Sequence, residues 1–170
     1  MFGIRTTRNV TFVGFRGISM IRLVALAGGV VLCGFVWAEE DGKDAQSEVK
    51  KLKGTWKTAN LIWNGKDYLA SGKKGFNFVF KGDVATIEGN DAVQKEYAKI
   101  RVKLDLSTMP KMMDITVLGG IQKDAVIESI YELKGDELKI CAKVFGKERP
   151  SEFASPAGSS IALLVLKREE

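Results

Sequence analysis

The sequence predicts an all-β fold: a single antiparallel up-and-down barrel of about eight strands, following an N-terminal signal helix. Three observations predict it. Apolar and polar side chains alternate over short runs, the period of strands with one dry and one wet face. Turn signals rich in glycine separate those runs at regular intervals, as they do in β-meanders. Beyond the leader, no segment sustains a helical period for three turns.

Residues 1–38 read as a signal peptide. They carry Arg5, Arg8, Arg16 and Arg22 and no acid. Arg22 precedes fifteen uncharged residues, LVALAGGVVLCGFVW, from Leu23 to Trp37. Val36 and Ala38 stand at positions −3 and −1 of a cut before Glu39. A basic start, a short apolar stretch and small residues at the cut make a secretory signal. Met20 begins MIRLVALAGG, a compact signal by itself, so residues 1–19 read as an extension ahead of the true start. The alternative is an uncleaved anchor, but the apolar run is shorter than the roughly 20 residues a spanning helix needs. Cys33 is no lipidation site on this pattern, because the bulky Leu32 precedes it.

Residues 39–51, EEDGKDAQSEVKK, are polar and read as a charged linker with at most a helical turn at its end. Residues 52–170 hold the barrel. Tyr97–Leu106 is the clearest strand, with Ala98, Ile100, Val102, Leu104 and Leu106 on one face and Lys99, Arg101, Lys103 and Asp105 on the other. Trp56–Trp63 runs into Asn64-Gly65, a strong hairpin signal. Phe76–Phe80 sets Phe76, Phe78 and Phe80 on one side, and Lys81-Gly82-Asp83 turns it into Val84–Glu88. Met113–Leu118 alternates less cleanly. Ile127–Leu133 is joined by Lys134-Gly135-Asp136 to Leu138–Val144, and Ile161–Arg168 is the last strand. Pro110, Pro150 and Pro156 all fall between strands, where a missing N–H costs nothing.

Composition excludes several functions. The net charge of +5 belongs mostly to the leader: without its four arginines, 22 basic residues face 21 acidic ones. That balance argues against a nucleic-acid partner, which needs a basic face. The chain contains no histidine, which removes Ser-His-Asp and Cys-His catalysis and histidine-ligated metals. No cofactor or metal is expected. Of two cysteines, Cys33 lies in the leader, so Cys141 has no intramolecular partner after cleavage. Cys141 falls on the outer face of its strand and reads as a half-covered bystander, with no cluster of cations to activate it. Glu88 and Asp114 are carboxylates of the kind glycoside chemistry uses, but no spacing brings them together.

A resemblance adds to this. Leu52-Lys53-Gly54-Thr55-Trp56 resembles the Gly-x-Trp signature that opens lipocalins and related barrels. The motifs LKGTWK, FVFKGD, MMDITV, IYELKGDELKIC, GKERPSEF and LLVLKRE follow in order over residues 49–169. That series is similar to a lipocalin-like domain family of unknown function from exported planctomycete proteins. The stretch Asn90–Glu96 is more charged than the family pattern. The resemblance implies a calycin-like barrel and no activity. It implies that Trp56 plugs the closed end and packs under a basic residue of the last strand, Lys167 or Arg168.

The structural signature residues are therefore Gly54, Trp56, Arg149, Pro150, Phe153 and Arg168. For the loop Arg149-Pro150-Ser151-Glu152-Phe153, the expectation is an Arg149–Glu152 ion pair with Phe153 inserted in the core. The competing expectation has Arg149 and Glu152 holding a polar ligand at the barrel mouth. Asn60, Thr86, Glu88, Ser129 and Tyr131 are polar groups on expected inward faces, where they either orient a ligand or bond one another in a filled interior. The ligand-binding candidates are Asn60, Phe78 and Tyr131, with no catalytic residue. The expected function is an exported, non-catalytic barrel of the periplasm, cell envelope or extracellular space that binds a small apolar or amphipathic molecule. The alternative is a solid-core structural module that meets an envelope protein. The membrane enters only through an uncleaved signal segment.

Overall fold

The computed structural model describes residues 40–170, with side chains from Asp44 onward; the signal peptide 1–38 and its alternative start at Met20 lie outside the described residues. The expected closed barrel is present. In chain order the elements are α1 (Glu40–Leu52), β1 (Gly54–Trp63), β2 (Lys66–Asp67), β3 (Asn77–Lys81), β4 (Val84–Glu88), α2 (Asp91–Glu96), β5 (Lys99–Asp105), β6 (Lys111–Gly119), β7 (Val126–Lys134), β8 (Glu137–Lys143) and β9 (Ile161–Arg168). From β3 to β9 each strand pairs antiparallel with the next, and β1 pairs with both β3 and β9, so eight strands close on themselves. Closure removes the free edges on which strands otherwise aggregate. The Asn64-Gly65 hairpin forms, but its return strand is only the two-residue β2, appended to the end of β1. Both Lys-Gly-Asp motifs make tight hairpins, pairing Lys81 with Val84 and Lys134 with Glu137.

Alternation sets the interior. On β5, Ile100, Val102 and Leu104 are buried while Lys99, Arg101, Lys103 and Asp105 are exposed. The interior has two unlike halves. At one end Trp56, Phe80, Met113, Tyr131, Leu138 and Leu166 are buried together. The other end holds Leu61, Phe76, Phe78, Ile87 and Ala162 and opens on a cavity.

The first end is shut by α1, which corrects the linker expected over 39–51. The segment is helical for thirteen residues. Its inward face is Ala45, Glu48, Val49 and Leu52, spaced i, i+3, i+4 and i+7 as one helix stripe requires. The stripe is thin and one member is a carboxylate, so the segment reads as polar. Lys50 and Lys51 lie in the last turn, where cations favour the helix dipole.

The helix ends on the barrel's first and last strands. Trp56 Nε1 donates to Leu52 O at 2.7 Å. Arg168 lies 4.2 Å from the Trp56 ring centroid, in cation–π range. Its Nη1 and Nη2 donate to Lys53 O at 2.6 Å and Lys51 O at 2.7 Å, and its Nε to Asp136 Oδ1 at 2.8 Å. Three carbonyls at the helix end thereby gain donors they lack within the helix. Of the two cations the sequence offers, Arg168 takes the tryptophan; Lys167 is exposed. Gly54 has φ +120°, a conformation that only glycine adopts readily, and it starts β1 directly under this clasp.

The loop between β8 and β9 lies against the outer wall. Ile130 and Cys141, cross-strand partners on the outward face, are buried yet stand apart from the interior cluster. Cys141 is therefore not half covered: its Sγ donates to Ala154 O of that loop at 3.4 Å, and burial pushes its thiol pKa up. Pro150 in the loop is buried too. Phe153 is half-buried and stays outside the core cluster, so it is not inserted in the core.

Candidate functional site

The open end holds a cavity of about 460 Å³, within the roughly 300–1,000 Å³ range of small-molecule sites. Register explains its walls. Phe78 on β3 pairs with Ile87 on β4, and Leu61 on β1 pairs with Leu164 on β9, each pair facing inward. Ala142 on β8 faces Ala162 on β9, and these two small side chains leave the space empty. Ile100, Ile115, Ile127 and Ile140 complete the walls. The rim comes from Trp63, Tyr68, Val93, Glu96, Tyr97, Val144 and Phe145. Phe145 is exposed and meets Trp63 edge-on, with ring centroids 6.2 Å apart.

Helix α2 shapes one side of the rim. Asn90 caps it by accepting from Val93 N at 3.2 Å, and Asn90 Nδ2 donates to Lys74 O at 2.5 Å. Gln94 Nε2 donates to Ile87 O at 2.7 Å, tying the helix to β4. The charged stretch Asn90–Glu96 is thus a capped helix that presents Val93, Glu96 and Tyr97 to the cavity.

Of the three expected ligand residues, Phe78 alone lines the cavity. Asn60 turns outward. A β-bulge between Thr58 and Asn60 shifts the alternation by one residue, so Leu61 and Trp63 point in and Asn60 shares its face with Val165. Tyr131 points in, but at the closed end. Its hydroxyl donates to Glu48 Oε1 at 3.0 Å, and Lys111 Nζ donates to the same oxygen at 2.7 Å. Burial, then the Glu48 charge, drives the Tyr131 hydroxyl pKa far above its ordinary value. Burial opposes the Glu48 charge, but the two hydrogen bonds and the charges of Lys111 and Lys51 outweigh it, so its carboxyl sits below the ordinary value. Tyr131 therefore anchors α1 instead of forming a ligand wall.

The other polar candidates divide in the same way. Thr86 and Glu88 are exposed, because Ala85 and Ile87 take the inward positions of β4. Ser129 is buried and donates to Met113 O at 2.5 Å. Asp114 does not meet Glu88; it meets Arg149. Arg149 Nη2 donates to Asp114 Oδ1 at 2.5 Å and Nη1 to Ser129 O at 2.5 Å. These partners are on β6 and β7, so Arg149 fastens the loop to the barrel wall, away from the mouth. The expected Arg149–Glu152 pair does not form; Glu152 is exposed and makes no ion pair among the described residues. Arg149 instead divides its guanidinium between the Asp114 carboxylate and the Ser129 carbonyl, on two strands whose register the sheet already fixes.

A second depression beside the end of α1 is lined by Lys50, Lys51, Lys53 and Arg168 with Glu48 and Asp136. Its arginine is committed to Asp136 and Trp56 and its Glu48 to Lys111 and Tyr131, which leaves Lys50, Lys51 and Lys53 as a small cationic patch at the helix end. Among the described residues no three metal-ligating side chains gather, and no helix is long and apolar enough to cross a membrane.

The cavity was legible only as a choice between a filled and an open interior. The signal that points to it is the pairing of Ala142 with Ala162 on adjoining strands. Comparison of the chain with protein-family models, with curated proteins and with solved structures returns no match.

Proposed function

We propose that this protein is an exported, non-catalytic barrel that binds a small apolar or amphipathic molecule in the open half of its interior. The observation that supports this most is the cavity of about 460 Å³. Its side chains are aliphatic and aromatic apart from Glu96, the Tyr68 and Tyr97 hydroxyls and the Trp63 indole N–H. An apolar cavity with a few polar groups at one edge is the usual form of a site that takes a greasy ligand and orients it. A solid structural module would fill that volume with side chains, as the closed half does. Two alanines facing each other in mid-wall favour the ligand reading over that alternative.

The test uses protein recovered from expression of the full chain. Native mass spectrometry before and after exposure to fatty acids, fatty alcohols, fatty amines and terpenoids should show one-to-one adducts. Titration with N-phenyl-1-naphthylamine, a neutral probe that fluoresces in apolar surroundings, should saturate and be reversed by the same compounds. A clean apo mass throughout, with no saturable probe signal, would overturn the proposal.

A further inference from the structure

We infer that the cavity selects ligands carrying one protonated amine on an apolar body, with Glu96 as the residue that receives the amine. This rests on the cavity being a ligand site and names the class of ligand.

Among the described residues, Glu96 is the one charged side chain lining the cavity. It is half-buried at the end of α2. Gln122 Nε2 donates to Glu96 Oε2 at 3.1 Å, and among the described residues no other side chain donates to the carboxylate and no cation forms an ion pair with it. Oε1 therefore keeps its accepting capacity for an incoming donor. Tyr97 beside it is half-buried, and burial and the Glu96 charge together raise its hydroxyl pKa, so the phenol stays neutral. The mouth thus offers a carboxylate and a phenol. No lysine or arginine is among the described lining residues; Lys73 stands over the Tyr68 ring, 4.7 Å from its centroid. A fatty carboxylate would bring a second negative charge to Glu96 in surroundings where like charges repel strongly. An ammonium would gain a charge-assisted hydrogen bond there.

The backbone holds Glu96 in place. The hairpin between β6 and β7 grips the end of α2, with Ile121 N donating to Lys95 O at 2.9 Å and Gln122 N to Glu96 O at 3.1 Å. The approach is close enough that a side chain on Gly120, which has φ +103°, would put its Cβ 2.4 Å from Glu96 O. Only glycine permits that contact. The carboxylate is thus set by two elements rather than by one mobile loop, as selective binding requires.

Size follows from the volume. At about 30 Å³ per heavy atom, the share of a water in the liquid, a cavity of about 460 Å³ encloses roughly 15 heavy atoms, and a slightly larger molecule such as the naphthylamine probe extends through the open mouth. Dodecylamine, dodecanol and dodecanoate fit this limit and differ only at the head. Each should be measured at neutral pH, below its aggregation threshold, by displacement of N-phenyl-1-naphthylamine from wild type and from Glu96→Gln. The expected result is amine tighter than alcohol and tighter than carboxylate, with at least about tenfold between amine and carboxylate. In Glu96→Gln the ratio of amine to alcohol affinity should fall to about one, because the amide still accepts from Gln122 but carries no charge. The assignment is overturned if the carboxylate binds as tightly as the amine, or if the amine preference survives in Glu96→Gln. Equal binding of all three would leave the cavity as a ligand site and remove its head-group selectivity. Binding of none, together with no probe uptake, would remove both. Should Glu96→Gln fail to fold, the order of the three ligands on wild type decides alone.

Discussion

Replacing Glu48 should loosen the closed end of the barrel by an amount the structure fixes. Glu48 is 7% exposed and accepts from both Lys111 and Tyr131. Glu48→Ala leaves the Tyr131 hydroxyl without an acceptor on a side chain that is 1% exposed. Stripping a buried polar group of its partner costs about 1–3 kcal/mol. Lys111 reaches solvent, so losing its ion pair adds only about 1 kcal/mol or less. The expected destabilisation is about 1–4 kcal/mol by urea unfolding. Glu48→Gln keeps an acceptor for Tyr131 and should lose about 1 kcal/mol. The pH dependence has a definite sign. Glu48 is held below its ordinary value of 4.5, so the ionised form stabilises the fold. That contribution is complete above pH 4.5 and fades as pH falls through the folded value. Wild type should therefore lose stability more steeply than Glu48→Gln below about pH 4.5. A Glu48→Ala variant within about 0.5 kcal/mol of wild type, or identical acid limbs for wild type and Glu48→Gln, would refute the anchoring of α1.

Three more outcomes follow from the same packing. Arg149→Ala should cost about 1–3 kcal/mol by removing the donors to Ser129 O and Asp114, and Arg149→Lys should recover only part of it because the fork is lost; chemical denaturation of the three proteins checks this. Cys141 should resist a thiol reagent in the native state and react faster in Arg149→Ala, since the loop that buries it would lift; equal labelling rates would show that the loop stays in place without Arg149. Ala162→Leu should send its side chain into the cavity, weaken N-phenyl-1-naphthylamine binding by about tenfold or more, and change stability by less than about 1 kcal/mol, because the added carbons enter empty space rather than a packed core; unchanged probe affinity would place the probe elsewhere.

The strands were legible because their two faces meet different solvents. Phe76, Phe78 and Phe80, or Ile100, Val102 and Leu104, announce the period and the dry side at once. Errors arose where the period is interrupted or carried by small residues. The bulge after Thr58 is invisible in composition and reverses the orientation of Asn60. In Val84–Glu88 the inward residues are Ala85 and Ile87, and alanine is too weak a marker to outvote Val84. Helix α1 was hidden because its buried stripe spends a place on Glu48, whose partners Lys111 and Tyr131 lie far off in sequence. The resting places of Arg149 and Tyr131 depend on the same kind of distant pairing. For the cavity, two facing alanines signal space only after the register between β8 and β9 is known.

Joining β1 to β9 has a consequence for assembly. The pairing of Trp56 with Arg168 spans nearly the whole domain in sequence, and such long-range closure is entropically slow. Until the final strand is supplied, β1 and β8 each present an unpaired ladder, and Trp56 has no cation above it. A growing polypeptide therefore cannot lock its first strand early. The barrel is therefore complete only once β9 lies between β8 and β1, however early the other hairpins form.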